Sequence, residues 1–141
     1  MKNTLQPYRR VVHYYETDQM SIVHHSNYIR WFEEARLDQL TQLGISYRDL
    51  EDRGIIIPVV DISCKYLISA RYADAVEILP ILTNYTGVRM CYRYEIRLSA
   101  TGQLLAEGTS THCFLDTNHK PISLKRKDPA LHQQLQALVS P

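Results

Sequence analysis

At 141 residues and 45% hydrophobic, the chain has the length of one domain and can bury a core of its own. Its 16 Lys and Arg against 15 Asp and Glu leave a formal charge of +1, with no long block of one sign, which excludes a global nucleic-acid footprint. The opening MKNTLQPYRR lacks the apolar stretch of a secretion signal, and no apolar run reaches membrane-spanning length, so the expectation is a cytoplasmic protein with no nucleic-acid or membrane partner.

Tyr8 to Tyr15 (YRRVVHYY) reads as a strand, rich in Val and Tyr. A loop follows from Glu16 to Val23. From about His25 to Leu43, Tyr28, Ile29, Phe32, Ala35, Leu40 and Leu43 share one helical arc, and Arg30, Glu34, Asp38 and Thr41 lie opposite. Ser26 or Asn27 is the expected N-cap and Gly44 the residue that ends the helix. Arg36 and Gln39 interrupt the apolar arc, which points to a subunit contact or a polar spot beneath the core, and Trp31 and Leu37 outside the arc point to the same subunit contact. Ser46 to Arg53 predicts a short helix stopped by Gly54. Strands are expected over Ile55 to Tyr66, Ala75 to Tyr85, Arg89 to Ser99 and Leu104 to Asp116. In the third of these, Met90, Tyr92, Tyr94, Ile96 and Leu98 alternate strictly with Arg89, Cys91, Arg93, Glu95 and Arg97. Turns at Thr86-Gly87 and Thr101-Gly102 join the last three strands as an antiparallel meander. The segment LHQQLQALV near the end reads as a terminal helix. The order of one strand, one long helix and four strands is an α+β arrangement, whose uncovered strand edges favour pairing between subunits. Residues 1–141 are read as one domain, with its core over about 8–116 and a tail over about 120–141.

Cys64, Cys91 and Cys113 are far apart and form no CxxC pair, against both a disulfide framework and a zinc site; they read as small buried hydrophobes in strands. His112 and Cys113, as strand neighbours, face opposite ways. His24 and His25 are expected to point in different directions, so no metal is called for. Asp18 stands in the loop ahead of the long helix, too far from its first turn to cap it. An ordinary loop Asp satisfies nearby backbone N–H groups. The helix start seven residues later supplies N–H groups around His25 and the positive end of a helix dipole, a place for a carbonyl oxygen that gains negative charge. A carboxylate beside such a site is a candidate acyl-transfer centre.

The run Tyr15-Glu16-Thr17-Asp18-Gln19-Met20, then Val23, His25, Asn27-Tyr28 and Trp31-Phe32-Glu33-Glu34-Ala35-Arg36, resembles the signature of the 4-hydroxybenzoyl-CoA thioesterase-like group of hot-dog fold acyl-CoA thioesterases. Further matches are Leu43-Gly44-Ile45-Ser46-Tyr47, Pro58-Val59-Val60, Cys64-Lys65-Tyr66 with Ala70-Arg71-Tyr72, and Gly87-Val88-Arg89, so the likeness covers roughly residues 8 to 116. The resemblance implies a hot-dog fold, a five-stranded antiparallel sheet wrapped around one long central helix, with homodimers or homotetramers whose active sites lie at subunit interfaces. It implies hydrolysis of an acyl-CoA thioester, with Asp18 as the carboxylate, nucleophile or general base, and the backbone N–H of His25 on the thioester carbonyl. His24 and Tyr15 would contact the substrate, Lys65, Arg71 and Arg89 are candidates for the CoA phosphates, and no metal or redox cofactor is required. Two positions depart from the family: Ser21 stands where it usually has Gly, and His24 where it usually has Tyr or Trp. Two other readings stay open, an acyl group presented on an acyl carrier protein, and a domain that binds acyl-CoA without turnover because Ser21 has altered the loop.

Overall fold

The computed structural model describes residues 5–139; the first four residues of the MKNTLQPYRR reading and the last two of the 120–141 tail lie outside the described residues. The elements run β1 (Tyr8–Val11), a 3-10 turn (Tyr14–Glu16), α1 (Ser26–Gln42), α2 (Tyr47–Asp52), β2 (Val59–Tyr66), β3 (Ala75–Tyr85), β4 (Arg89–Leu98), β5 (Leu104–Cys113), α3 (Leu124–Lys127) and α4 (Pro129–Leu138). The strands form one five-stranded sheet in the order β1-β3-β4-β5-β2. The expected α+β order is therefore present, with β1 and β2 at the sheet edges.

The chain divides into two compact units. One holds the described residues up to Gly44 with Cys64–Pro80 and Tyr94–Gly108; the other holds Ile45–Ser63, Ile81–Arg93 and the described residues from Thr109 on. In the first, β1 pairs antiparallel with β3, Arg10 opposite Val76, and α1 carries the core. Tyr28, Trp31, Phe32 and Ala35 are buried together with Val76, Ile78, Tyr94 and Ile96, and Phe32 stacks on Tyr94 with ring centroids 4.2 Å apart. The two polar residues on the apolar arc find partners inside this unit: Gln39 Nε2 donates to the Pro80 carbonyl at 3.0 Å and Arg36 to the Tyr94 hydroxyl at 2.9 Å. They make the polar spot beneath the core. Trp31 is fully buried, which corrects its assignment to a subunit contact: its indole N–H and ring are used within the chain. Leu37 is half-buried.

In the second unit, Leu50, Ile55, Leu82, Tyr92, Phe114, Leu131 and Leu135 are buried. Ser46 caps α2 with the reciprocal Ser46–Asp49 pair. The helix α4 is anchored by Tyr85 Oη and His132 Nδ1, 2.8 Å apart, and α3 by the Leu124 N–H on the Gly87 carbonyl at 2.9 Å. Gly87 has φ +88, and a Cβ there would meet the His132 ring at 3.3 Å, so the turn expected at Thr86-Gly87 also makes room for the helix.

Four expectations need correction. The first strand stops at Val11, because Glu16 is turned inward and draws Tyr14–Glu16 into the tight turn, leaving Tyr14 and Tyr15 75% and 81% exposed. The second strand starts at Val59, after Pro58, and not at Ile55; Ile56 makes only an isolated bridge to Leu115. The short helix α3 was not expected. The three cysteines lie on β2, β4 and β5 as free, half-buried thiols rather than fully buried ones. His112 is buried and Cys113 half-buried, in keeping with opposite faces of one strand.

Candidate active site

Glu16 is the post on which the region is built. It is 4% exposed, and its Oε1 accepts from the His13 N–H at 2.8 Å and from Arg10 Nη2 at 2.5 Å, while Oε2 accepts from Trp31 Nε1 at 2.8 Å. Its carbonyl accepts from the His24 N–H at 2.9 Å and from Asn27 Nδ2 at 2.9 Å. A buried carboxylate persists only when its oxygens are paired and bonded in this way. Arg10 also reaches Glu34 at 2.7 Å and lies over the Trp31 ring, 5.0 Å from its centroid. One residue thus joins β1, the loop and the start of α1.

The Asp18 loop is a small hairpin held on that post. Thr17 and Val23 bridge antiparallel, the Asp18 N–H donates to the Ile22 carbonyl at 2.9 Å, and the Ser21 N–H donates to the Asp18 carbonyl at 3.0 Å. Asp18 Oδ1 accepts from the Met20 N–H at 2.8 Å, an Asx turn; its Oδ2 has no hydrogen-bond partner among the described residues. Ser21 has φ +64, the left-handed region that suits glycine. The loop therefore keeps the positive-φ turn with a side chain in place.

At the helix start the N-cap is His25, not Ser26 or Asn27, and it makes no side-chain cap bond. Both expected caps are engaged elsewhere: Ser26 Oγ lies 2.8 Å from His24 Nδ1, and the Asn27 amide is turned to Glu16. The Ser26 N–H faces His24 Nδ1 at 3.3 Å, the Asn27 N–H donates to the His24 carbonyl at 3.0 Å, and the His25 N–H has no acceptor among the described residues. The rings of His24 and His25 stack, centroids 4.2 Å apart, so they do not diverge as expected; the backbone turns between the loop residue and the helical cap and brings the rings together. The Tyr66 hydroxyl donates to the His25 carbonyl at 3.0 Å, and its ring stands edge-on to Tyr28 at 5.1 Å. Burial, then the neighbouring Cys64, pushes the Tyr66 phenol up to about 12; burial likewise raises the Cys64 thiol.

Two cavities meet at Asp18. The larger, about 680 Å³, has Tyr15, Asp18, His24, Arg10, Arg30 and Glu34 among its walls. The smaller, about 230 Å³, sets Asp18 and His25 among Met20, Ile22, Tyr66 and Leu67. A carboxylate with one free oxygen and an unbonded N–H at the positive end of a 17-residue helix line the same small hollow. Such a pair can deliver an attacking oxygen to a carbonyl carbon and stabilise charge on its oxygen.

Residues 12–137 match the thioesterase-like superfamily. The chain belongs to that superfamily. It is similar to YneP of Bacillus subtilis (strain 168), 36% identical over 122 residues, which are 86% of this chain and 88% of YneP. It is also similar to the acyl-CoA thioester hydrolase YbgC of Escherichia coli O157:H7, 28% identical over 107 residues, 76% of this chain and 79% of YbgC. The solved DHNA-CoA thioesterase from Staphylococcus aureus superposes with a TM-score of 0.88 at 36% identity, covering 94% of this chain and 91% of that one. The fold is that of the hot-dog thioesterases, as the resemblance implied.

Within this thioesterase-superfamily chain, the structure brings Tyr15, His24 and Asp18 together around the larger cavity and His25 and Asp18 around the smaller. Lys65, Arg71 and Arg89 are exposed and stand outside the lining of both. Sequence reasoning missed Arg10, Glu16 and Tyr66 as parts of the region. The opposite charges of Arg10 and Glu16 at the first strand's end are visible in the sequence, but nothing there marks them as buried partners. Tyr66 carried no signal, since a strand Tyr reads equally as core.

Proposed function

We propose that the chain hydrolyses acyl-CoA thioesters to a carboxylic acid and free CoA. The observation that carries this is the pairing of the free Asp18 oxygen with the unbonded His25 N–H on one cavity, and the names of YbgC and of the Staphylococcus aureus enzyme support it. The Asp18 carboxylate attacks the thioester carbon itself or takes a proton from the water that does. Either way a new C–O bond forms, the carbonyl oxygen becomes an anion within reach of the His25 N–H, and the C–S electron pair leaves with the thiolate, which is protonated to free CoA. In the direct route, water then cleaves the acyl–Asp18 anhydride. Lys65, Arg71 and Arg89, exposed, are offered to the CoA phosphates.

The superfamily match spans residues of both compact units, which supports reading the chain as one catalytic domain. Homodimers or homotetramers belong to the same proposal, supported by the exposed Val59, Val60, Tyr66, Leu67 and Ile68 on and just beyond the edge strand β2.

The test is thiol release over a panel of short, long and aromatic acyl-CoA thioesters, run beside Asp18→Asn. Turnover that the substitution lowers by about 10² or more is the expected result. Acyl-CoA binding with no turnover by the wild-type protein would overturn hydrolysis of CoA thioesters; carrier-bound acyl groups would then be assayed in the same way.

A further inference from the structure

We propose that Tyr66 is a positioning residue: by holding the His25 carbonyl, its hydroxyl keeps the His25 N–H aimed at the thioester carbonyl. This rests on the thioesterase reading above and adds a residue of β2 to it.

His25 sits between two peptide planes. One carries the His24 carbonyl and the His25 N–H, and is fixed by the Asn27 N–H on that carbonyl at 3.0 Å. The other carries the His25 carbonyl and the Ser26 N–H. On it, the Tyr66 hydroxyl binds the carbonyl at 3.0 Å, closer than the Tyr28 N–H at 3.3 Å, and the Ser26 N–H faces His24 Nδ1 at 3.3 Å. With both planes held, the φ of −54° and ψ of −30° at His25 are set, and so is the direction of its N–H.

The tie matters because the Glu16 bonds to the His24 N–H and the Asn27 amide hold this helix end on either side of His25 and leave the His25 carbonyl itself to Tyr66. Helix termini fray, and α1 begins with no side-chain cap bond at His25. The bonds within residues 24–28 would loosen together with the turn that contains them. Tyr66 comes from another element, 41 positions along the chain, and its ring is itself wedged edge-on against Tyr28 at 5.1 Å and His25 at 6.3 Å. The phenol keeps its proton throughout the working range, since it is pushed up to about 12, so it remains a donor. A donor for a developing oxyanion helps only if it is already oriented when the charge appears, and a displacement of about 1 Å at a reacting centre can cost as much as 10²-fold in rate. Loss of the tie should therefore reduce kcat and leave KM nearly unchanged, because the neutral thioester carbonyl asks far less of the N–H than the oxyanion does.

Tyr66→Phe removes the hydroxyl and leaves the ring on the wall of the cavity. The experiment compares it with the wild-type protein on the best thioester of the panel, with kcat and KM measured separately, the melting temperature recorded, and the backbone amides followed by nitrogen-proton correlation spectra without substrate. The expected result is a kcat lower by about 10-fold, KM within about three-fold, little change in Tm, and a displaced Ser26 amide resonance, because that amide shares its peptide with the released carbonyl. An unchanged kcat would overturn the proposal and leave the thioesterase reading intact. A raised KM at constant kcat would also overturn it, making Tyr66 part of the binding wall. A fall in kcat with no change at the Ser26 amide would overturn the route through His25. Wild-type protein inert over the whole panel takes down the thioesterase reading, and this one with it.

Discussion

Glu16 and Asp18 lie two positions apart and are handled in opposite ways. Glu16 is buried, and its two carboxylate oxygens take three bonds, from Arg10, Trp31 and the His13 N–H. Asp18 is half-buried, with a single bond from the Met20 N–H to one oxygen. The first arrangement is rigid and the second is open to a ligand. What the difference teaches is how a short hairpin can present a carboxylate in a fixed place: the bonds that fix it are made by its backbone and at its foot, by Glu16, and so leave one oxygen of the group that would react unoccupied.

The comparison breaks most sharply if Glu16 is removed. Glu16→Ala leaves Arg10 without its most buried partner, in a pair whose side chains are 10% and 5% exposed, and loss of one member of a buried ion pair costs about 3–5 kcal/mol. Urea unfolding should show that loss as a lower midpoint at unchanged slope. A loss below about 1 kcal/mol would mean that Glu16 is not the post. Asp18→Asn is the mirror case. Asn keeps the acceptor for the Met20 N–H, so stability should stay within about 0.5 kcal/mol, whereas kcat falls by about 10², or about 2.7 kcal/mol of transition-state stabilisation. A large stability loss there would make Asp18 a structural residue like its neighbour.

A smaller effect sharpens the same contrast within the loop. Ser21, at φ +64, carries left-handed strain of about 1–2 kcal/mol, and glycine relieves it while adding about 0.4–1 kcal/mol of unfolded-state freedom. Ser21→Gly should therefore raise stability by roughly 0.5 kcal/mol and leave kcat unchanged, since the turn is already formed. A several-fold gain in kcat would show that Ser21 holds Asp18 away from its working position.

Much of this was legible in the chain itself. The strict alternation of β4, the apolar arc of α1 and the glycines after α1 and α2 report local geometry directly, and β3 spans Ala75–Tyr85 as expected. Asp18 and His25 were legible as a pair because a carboxylate ahead of a helix start has a chemical meaning at short range. Glu16 was not, although it lies in the same stretch: an acid beside a strand reads as solvated until Arg10, Trp31 and the His13 N–H are seen to converge on it. The first strand was overextended for the same reason, since Tyr14 and Tyr15 have strand propensity and only the inward turn of Glu16 overrides it. The Tyr66 bond joins residues 41 apart, beyond the reach of any local pattern. The N-cap was misplaced because Ser26 and Asn27 are good caps in isolation, and both are drawn to other partners here.

Tyr66 and Tyr85 extend the comparison to the alkaline range, where the expected effect is smallest. Each hydroxyl ties one element to another, Tyr66 to the start of α1 and Tyr85 to α4 through His132, and burial pushes both phenols from 10.0 up to about 12. Below pH 10 the folded and unfolded chains both keep these protons, so the two tyrosines give stability no pH dependence there. Between pH 10 and about 12 the unfolded chain loses protons that the folded chain retains, so stability declines through that window and is lowest above it. Thermal melts at intervals from pH 8 to 11.5 should be flat and then fall, and Tyr66→Phe and Tyr85→Phe should each shallow the fall. The two variants should differ at neutral pH. Tyr85→Phe loosens α4 alone, with about 1 kcal/mol of stability lost and no change in turnover, whereas Tyr66→Phe is felt in kcat. Equal losses of activity from both would mean that turnover follows general stability, and the separation between structural ties and the tie at the helix start would collapse.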